Sequence, residues 1–165
     1  VSNNAALGAP NKPVTDLTEE EWDRCMSVTL RGVWLCMKYQ LPVIEASGGG
    51  AVVNVASVSG IRGEAFQSAY AAAKGGVINL SKTVAVEYAK RGVRANCICP
   101  GDINTGMTDN ISFPETMDFD LMPRIMSLTG AKAPEVVASV IVMLVSEDGV
   151  HITGEDIRVD GGTLS

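Results

Sequence analysis

The feature that most constrains this chain is an alternation of short apolar runs with long helical stretches. Ala51-Val52-Val53-Asn54-Val55-Ala56 and Val93-Arg94-Ala95-Asn96-Cys97-Ile98-Cys99 read as strands, and Asp156-Ile157-Arg158-Val159-Asp160 as a later one. A nearly continuous apolar run of this length belongs to a strand covered on both faces. Thr18-Glu19-Glu20-Glu21 reads as a capping box opening a helix. Trp22, Met26, Leu30, Val33, Trp34, Met37 and Leu41 then recur at spacings of three and four, with Pro42 expected to kink the helix near its end. A second helix runs from about Ser68 to Lys90, small or apolar nearly all round, and Gly92 is its expected terminator. A third begins at Pro134 and carries Val136, Val137, Val140, Ile141, Leu144 and Val145. Strands alternating with helices predict an α/β fold, a parallel sheet with helices on both faces.

In such sheets ligands bind beyond the carboxyl ends of the strands. That rule gives several turns a common address. Val1-Ser2-Asn3-Asn4-Ala5-Ala6 reads as the end of a strand and a polar turn, so an upstream portion is expected. Ser57 follows the Ala51–Ala56 strand, and Pro100-Gly101 stops the next one. Tyr70 and Lys74 sit early in the helix after the Ser57 loop. Four residues apart in a helix, they share one face, with Cβ atoms about 5–6 Å apart. A phenol titrates near pH ~10, and a fixed cation beside it is expected to lower that value. A phenol, an ammonium and a hydroxyl at one edge make a proton-transfer apparatus. Taken alone, a Tyr and a Lys at this spacing read as a helix-surface pair; the converging turns favour a site.

Bulk composition narrows the function classes. The 165 residues suffice for one domain with a sizeable core. The formal charge is −6 and no Lys/Arg run occurs, which argues against nucleic acid or an anionic membrane as partner. Apolar stretches are interrupted by charges, so no membrane span is expected. Cys25, Cys36, Cys97 and Cys99 lack zinc-ligand spacing and read as buried free thiols of a cytoplasmic protein; no metal site is expected. His151 reads as a surface histidine, and Trp22 and Trp34 as core or subunit-interface residues. The segment from Asp102 to about Thr129 carries Met107, Phe113, Met117, Phe119, Leu121, Met122, Ile125 and Met126. A stretch this long is either a lid or an ordinary packed connection.

Asn3-Asn4-Ala5, then Ser57 with Tyr70-x-x-x-Lys74 thirteen residues on, Pro100-Gly101, and the terminal Thr153-Gly154 and Val159-Asp160-Gly161-Gly162 resemble the short-chain dehydrogenase/reductases. The resemblance runs in order through the chain and corresponds to the C-terminal two-thirds of a typical member. It implies a partial Rossmann-like sheet and an NAD- or NADP-dependent oxidoreductase interconverting a carbonyl and an alcohol. Tyr70 would be the catalytic acid or base. Lys74 would lower its pKa and hold the nicotinamide ribose, and Ser57 would hold the substrate oxygen. Pro100, Gly101, Ile103 and Thr105 would hold the carboxamide, and Asn3 and Ala5 would line the ribose side. The apolar segment after Thr105 would cover a small alcohol or ketone of apolar character. The two long helices would form a homodimer or homotetramer.

The chain departs from the family pattern in three places. The Asn-Asn-Ala-Gly turn ends in Ala6. The helix asparagine of the family's proton relay, which runs through a water to the lysine, is replaced by Thr29 within Val28-Thr29-Leu30. Thr29 either holds that water with its shorter reach or is simply a helix residue. No Gly-rich turn follows a strand, so the pyrophosphate motif and the NAD-versus-NADP determinant are missing; Gly48-Gly49-Gly50 precedes a strand and does not qualify. The alternative to an enzyme is therefore a truncated or non-catalytic member acting only through helix-mediated association. A Schiff base on Lys74 has only the lysine itself in its favour.

Overall fold

The computed structural model describes residues 1–107, 118, 120–121 and 126–165. Among them, four parallel strands form one sheet in the order β1 (Ser2–Asn3), β2 (Gly50–Val55), β3 (Val93–Pro100) and β4 (Asp156–Val159). The helices are α1 (Glu19–Met26), α2 (Gly32–Ala46), α3 (Ser68–Tyr88) and α4 (Glu135–Val145). The expected α/β architecture is the observed one.

The two-residue period of the strands explains the layers. Val52, Ala95, Cys97 and Cys99 face one side and pack with Val33, Met37 and Leu41 of α2 and Val77, Val84 and Ala85 of α3. Val53, Val55 and Ile98 face the other, where Val137 and Leu144 of α4 close over them. The sheet is therefore covered on both faces, which is why its central runs are apolar throughout. Gly92 takes the left-handed conformation (φ 73°) that ends the helix before β3, as expected.

Several local expectations are corrected. Thr18 does close a capping box with Glu21. The helix it opens is interrupted by a π-helical turn at Ser27–Arg31, while Pro42 lies inside α2. A π-turn admits one extra residue per turn and swings the backbone round a buried side chain, here Thr29. Trp22 and Trp34 are exposed, which excludes the core reading of the two and leaves the interface one, with the Lys38 ammonium 5.3 Å from the Trp34 ring centre. Cys36 is exposed, whereas Cys25, Cys97 and Cys99 are buried. His151 lies at the surface, as expected. No helix is long and apolar enough to cross a membrane, and no cluster that could hold a metal occurs, both among the described residues. Of the Met- and Phe-rich segment, Phe113, Met117, Phe119, Met122 and Ile125 lie outside the described residues, and with them the choice between lid and connection.

Strand register sets the working edge of the sheet. Asn3 pairs with Asn54, Val55 with Ile98, and Pro100 with Val159. The carboxyl ends of all four strands thus finish together, and the turns that follow them open on one side.

Candidate active site

Ser57 is positioned by β2. Ala56 still donates its N–H to the Ile98 carbonyl (2.8 Å), so the strand end is held in the sheet. Ser57 then keeps an extended backbone and caps the short turn Val58–Gly60, its Oγ accepting the Ser59 N–H at 3.2 Å. That turn lies directly against α3. A methyl group at Gly60 would sit 2.6 Å from the Lys74 carbonyl carbon and 2.7 Å from the Gly75 nitrogen. Two backbones meet here with no room for a side chain, and this contact sets the Ser57 hydroxyl beside the first turns of α3.

Tyr70 stands in the first turn of α3, where the Ser57 side chain acts on its phenol and favours the ionised form. Lys74 is one turn further on and only 2% exposed. Its Nζ donates to the Val55 carbonyl at 2.6 Å and lies 5.5 Å from the centre of the Tyr70 ring. The structure thus brings Ser57, Tyr70 and Lys74 together at the carboxyl end of β2.

The electrostatics run against one expectation. Burial pushes the Tyr70 phenol up to about 12, offset in part by the Ser57 side chain and reinforced by Glu64 and Cys25. The expected lowering by Lys74 is overturned in net direction. Removing the phenolate from water is the largest cause, and the Lys74 amine is tied to the Val55 carbonyl. Burial also pulls Lys74 itself down, to about 8, with the nearby thiols Cys97, Cys99 and Cys25 opposing that shift. Burial therefore disfavours both charges.

The remaining predicted residues divide. Thr29 is fully buried beneath the site, and its hydroxyl is spent on Leu7, donating to the carbonyl (2.8 Å) and accepting the N–H (2.9 Å). The Asn3 side chain turns inward, giving hydrogen bonds to Gln40 (3.1 Å) and Asn54 (2.8 Å) and accepting one from Gln40. It braces the end of β1 against α2 and β2, and the turn through the exposed Ala5 starts from that brace. Pro100 ends β3, and Gly101 packs so closely on Asp160 that a Cβ there would be 2.9 Å from its Cα. Ile103 packs on the α4 side of the core and bridges to Lys132, whereas Thr105 is exposed.

Two residues at the site have no spacing rule to find them. The Ser57 Oγ donates to the Ser59 Oγ (3.1 Å), and the Ser59 hydroxyl donates to the Glu64 carboxylate. Burial holds Glu64 above the usual carboxylate range, although the Ser59 bond and Arg62 pull the other way. A glutamate in a glycine-flanked loop reads as solvated; only the fold turns it inward.

The parallel sheet covered by helices agrees with the relationships of the sequence. Residues 1–163 match the family model described as enoyl-(acyl carrier protein) reductase. The levodione reductase of Leifsonia aquatica is 38% identical over 166 residues, which take in 97% of this chain and 62% of that protein. The cyclohexanol dehydrogenase of Acinetobacter sp. (strain SE19) is 37% identical over 163 residues, covering 99% of this chain and 62% of the relative. A crystal structure of levodione reductase superposes with a TM-score of 0.89 at 36% identity, covering 98% of this chain and 64% of the other. ElxO with NADP bound superposes at 0.86 with 30% identity, covering 99% and 66%. The chain spans less than two thirds of the length of these curated relatives. By the family match, the identities and the shared fold, the chain belongs to the short-chain dehydrogenase/reductase family.

Proposed function

We propose that the chain carries the proton-transfer half of an NAD(P)-dependent oxidoreductase that interconverts a small alcohol and its ketone. The observation that carries this reading is the buried Lys74 amine 5.5 Å from the centre of the Tyr70 ring, with the Ser57 side chain acting on the same phenol. A phenol held near 12 keeps its proton at neutral pH, so Tyr70 is ready to donate to a carbonyl oxygen. Ser57 gives that oxygen a second hydroxyl contact and fixes its distance from the phenol. Lys74 holds a positive charge on the ring's own side, where it stabilises the phenolate left after donation.

The residues present fit a nicotinamide dinucleotide at one end. An ammonium carries three donors, and Val55 accepts from Lys74 on the side of β2, which leaves donors for a ribose hydroxyl. The turns at Pro100-Gly101 and after Asn3 flank the same sheet edge and would hold the carboxamide and the ribose. When bound, the dinucleotide supplies or accepts the hydride. ElxO, with NADP in its structure, and the levodione and cyclohexanol enzymes point to this cofactor class and to cyclic or aliphatic ketones and alcohols. Association of copies in the cytoplasm completes the proposal: Trp34, Tyr39 and Val43 on α2 and Val86 on α3 are exposed, Val86 by 82%.

The test is titration of the chain with NADH and NADPH, followed by fluorescence, and then consumption of the bound nucleotide on addition of a cyclic ketone. Saturable binding with ketone-dependent oxidation is the expected result. Stable association without any nucleotide binding supports the non-catalytic reading instead.

A further inference from the structure

Thr29 stands where the family pattern has its relay asparagine, yet its hydroxyl gives its one hydrogen to the Leu7 carbonyl and accepts the Leu7 N–H. The hydrogen of its hydroxyl is therefore turned toward Leu7. A different path is laid out on the other side of Tyr70. Ser57, whose side chain acts on the Tyr70 phenol, donates to Ser59 at 3.1 Å, and Ser59 donates to the Glu64 carboxylate. Ser59 is 7% exposed, whereas Glu64 is half-buried in a loop whose neighbours Gly63 and Ala65 are exposed. The buried Ser59 hydroxyl thus lies between the half-buried Tyr70 phenol and the half-buried Glu64 carboxylate.

We infer that Glu64 is a positioning residue for the proposed reaction, setting the direction of the Ser57–Ser59 hydrogen bonds and taking up or returning the proton of Tyr70 through them. This rests on the reading of Tyr70 as the proton donor. The transfer balances without any added reagent. In the oxidation direction the Tyr70 O–H bond breaks as its proton passes to the Ser57 oxygen. The Ser57 proton passes to Ser59, and the Ser59 proton forms the new O–H bond on Glu64. The negative charge moves from carboxylate to phenolate, and each serine ends as a hydroxyl with its hydrogen turned round. In the reduction direction every step reverses. With Glu64 ionised, Ser57 is committed as a donor to Ser59. With Glu64 protonated, the chain flips and Ser57 donates toward Tyr70 and the substrate oxygen.

The charged and titratable groups around this path are few. Arg62, from the same loop, faces Glu64 and favours its ionised form, while also donating to the Thr163 carbonyl at 3.3 Å. Tyr70 of α3 faces Glu64, Cys25 of α1 faces Tyr70, and Lys74 lies beneath the ring. Gln67 reaches the second Glu64 oxygen at 3.5 Å. Because burial raises the Glu64 pKa, its titration falls above the ordinary carboxylate range. Oxidation needs the carboxylate and falls as pH drops through that value; reduction needs the acid and falls as pH rises through it.

Two measurements test the path, one of them independent of turnover. In the chain labelled with carbon-13 at the tyrosine Cζ, the Tyr70 resonance, identified by its loss in Y70F, is followed from pH 4 to 8. A step coincident with the Glu64 carboxyl titration is expected, lost in Glu64→Gln and retained in Glu64→Asp. In ketone reduction, Glu64→Gln and Ser59→Ala are each expected to lower turnover by roughly tenfold or more and to flatten the alkaline limb, general acid–base contributions being about 10²–10⁴ in all. Glu64→Asp restores the limb. A Tyr70 resonance that ignores Glu64, or an unmoved pH profile in both variants with normal turnover, overturns the inference and leaves the role of Tyr70 standing. Absence of ketone reduction in the parent chain defeats the proposed function instead, while the resonance still decides whether Glu64 and Tyr70 are coupled.

Discussion

Replacing Gly60 by alanine probes the contact that assembles the site. The new methyl would lie 2.6 Å from the Lys74 carbonyl carbon, 2.7 Å from the Gly75 nitrogen and 2.9 Å from the Lys74 oxygen. All three are backbone atoms of α3, so no rotamer change relieves the clash. Carbon atoms rest about 3.5–4.0 Å apart, so the Val58–Gly60 turn must withdraw from the helix by about 1 Å. Overpacking of this kind costs about 1–3 kcal/mol. At this chain length each kcal/mol lowers the melting temperature by about 2–4 °C. The catalytic consequence is larger than the loss of stability, because the retreating turn carries Ser57 away from Tyr70. A misplacement of about 1 Å costs on the order of 100-fold in rate. The assay is paired: thermal unfolding of both proteins, and NADPH-dependent ketone reduction at a temperature where both are folded. A modest fall in melting temperature with a hundredfold fall in turnover is expected. Unchanged stability and unchanged turnover in Gly60→Ala would refute the claim that this contact sets the site.

Three further outcomes follow from the packing and the buried charges. Burial depresses Lys74 from its ordinary 10.5 to about 8, so the unfolded chain binds the proton more tightly than the folded one. Stability should therefore rise with pH from about 8 to about 9, by no more than about 1 kcal/mol per pH unit, and urea unfolding of Lys74→Met should show this rise abolished. Above pH 9 the thiols Cys97 and Cys99, pushed up to about 11 and about 12, reverse the trend as the unfolded chain releases their protons first. Leu144→Ala empties a fully buried position under α4 and should cost about 2–5 kcal/mol, read as a shift in the urea midpoint. Thr29→Val keeps the shape of the side chain but strands the Leu7 N–H and carbonyl; a loss of about 1–3 kcal/mol is expected, and an unchanged urea midpoint counts against the paired bonds.

Local chemistry wrote the architecture plainly. The apolar runs before Ser57 and Pro100 could belong only to strands covered twice, and the strand-end rule placed Ser57, Tyr70 and Lys74 on one edge before any coordinates. The features that escaped depend on how the chain folds back on itself, which spacing along the sequence does not carry. The sign of the Tyr70 shift is set by how deeply α3 is buried, and an i, i+4 spacing carries no measure of that. Thr29 reads as an open hydroxyl because its partner Leu7 is twenty-two residues away, brought in by the loop after β1. Glu64 sits between Gly63 and Ala65, a setting that normally means solvent; the Ser59 bond exists only because the turn after β2 folds back on that loop. The π-turn at Ser27–Arg31 left no mark of its own, since Pro42 was the visible breaker.

The central claim is that Tyr70 moves the proton, and the most direct measurement is Tyr70→Phe in NADPH-dependent ketone reduction, with nucleotide affinity and melting temperature followed in the same preparation. Phenylalanine keeps the ring and its contact with Lys74 and removes only the hydroxyl. Turnover is predicted to fall by at least ~100-fold while the fold and the nucleotide affinity stay close to those of the parent. Turnover undiminished in Tyr70→Phe would contradict the account at its centre.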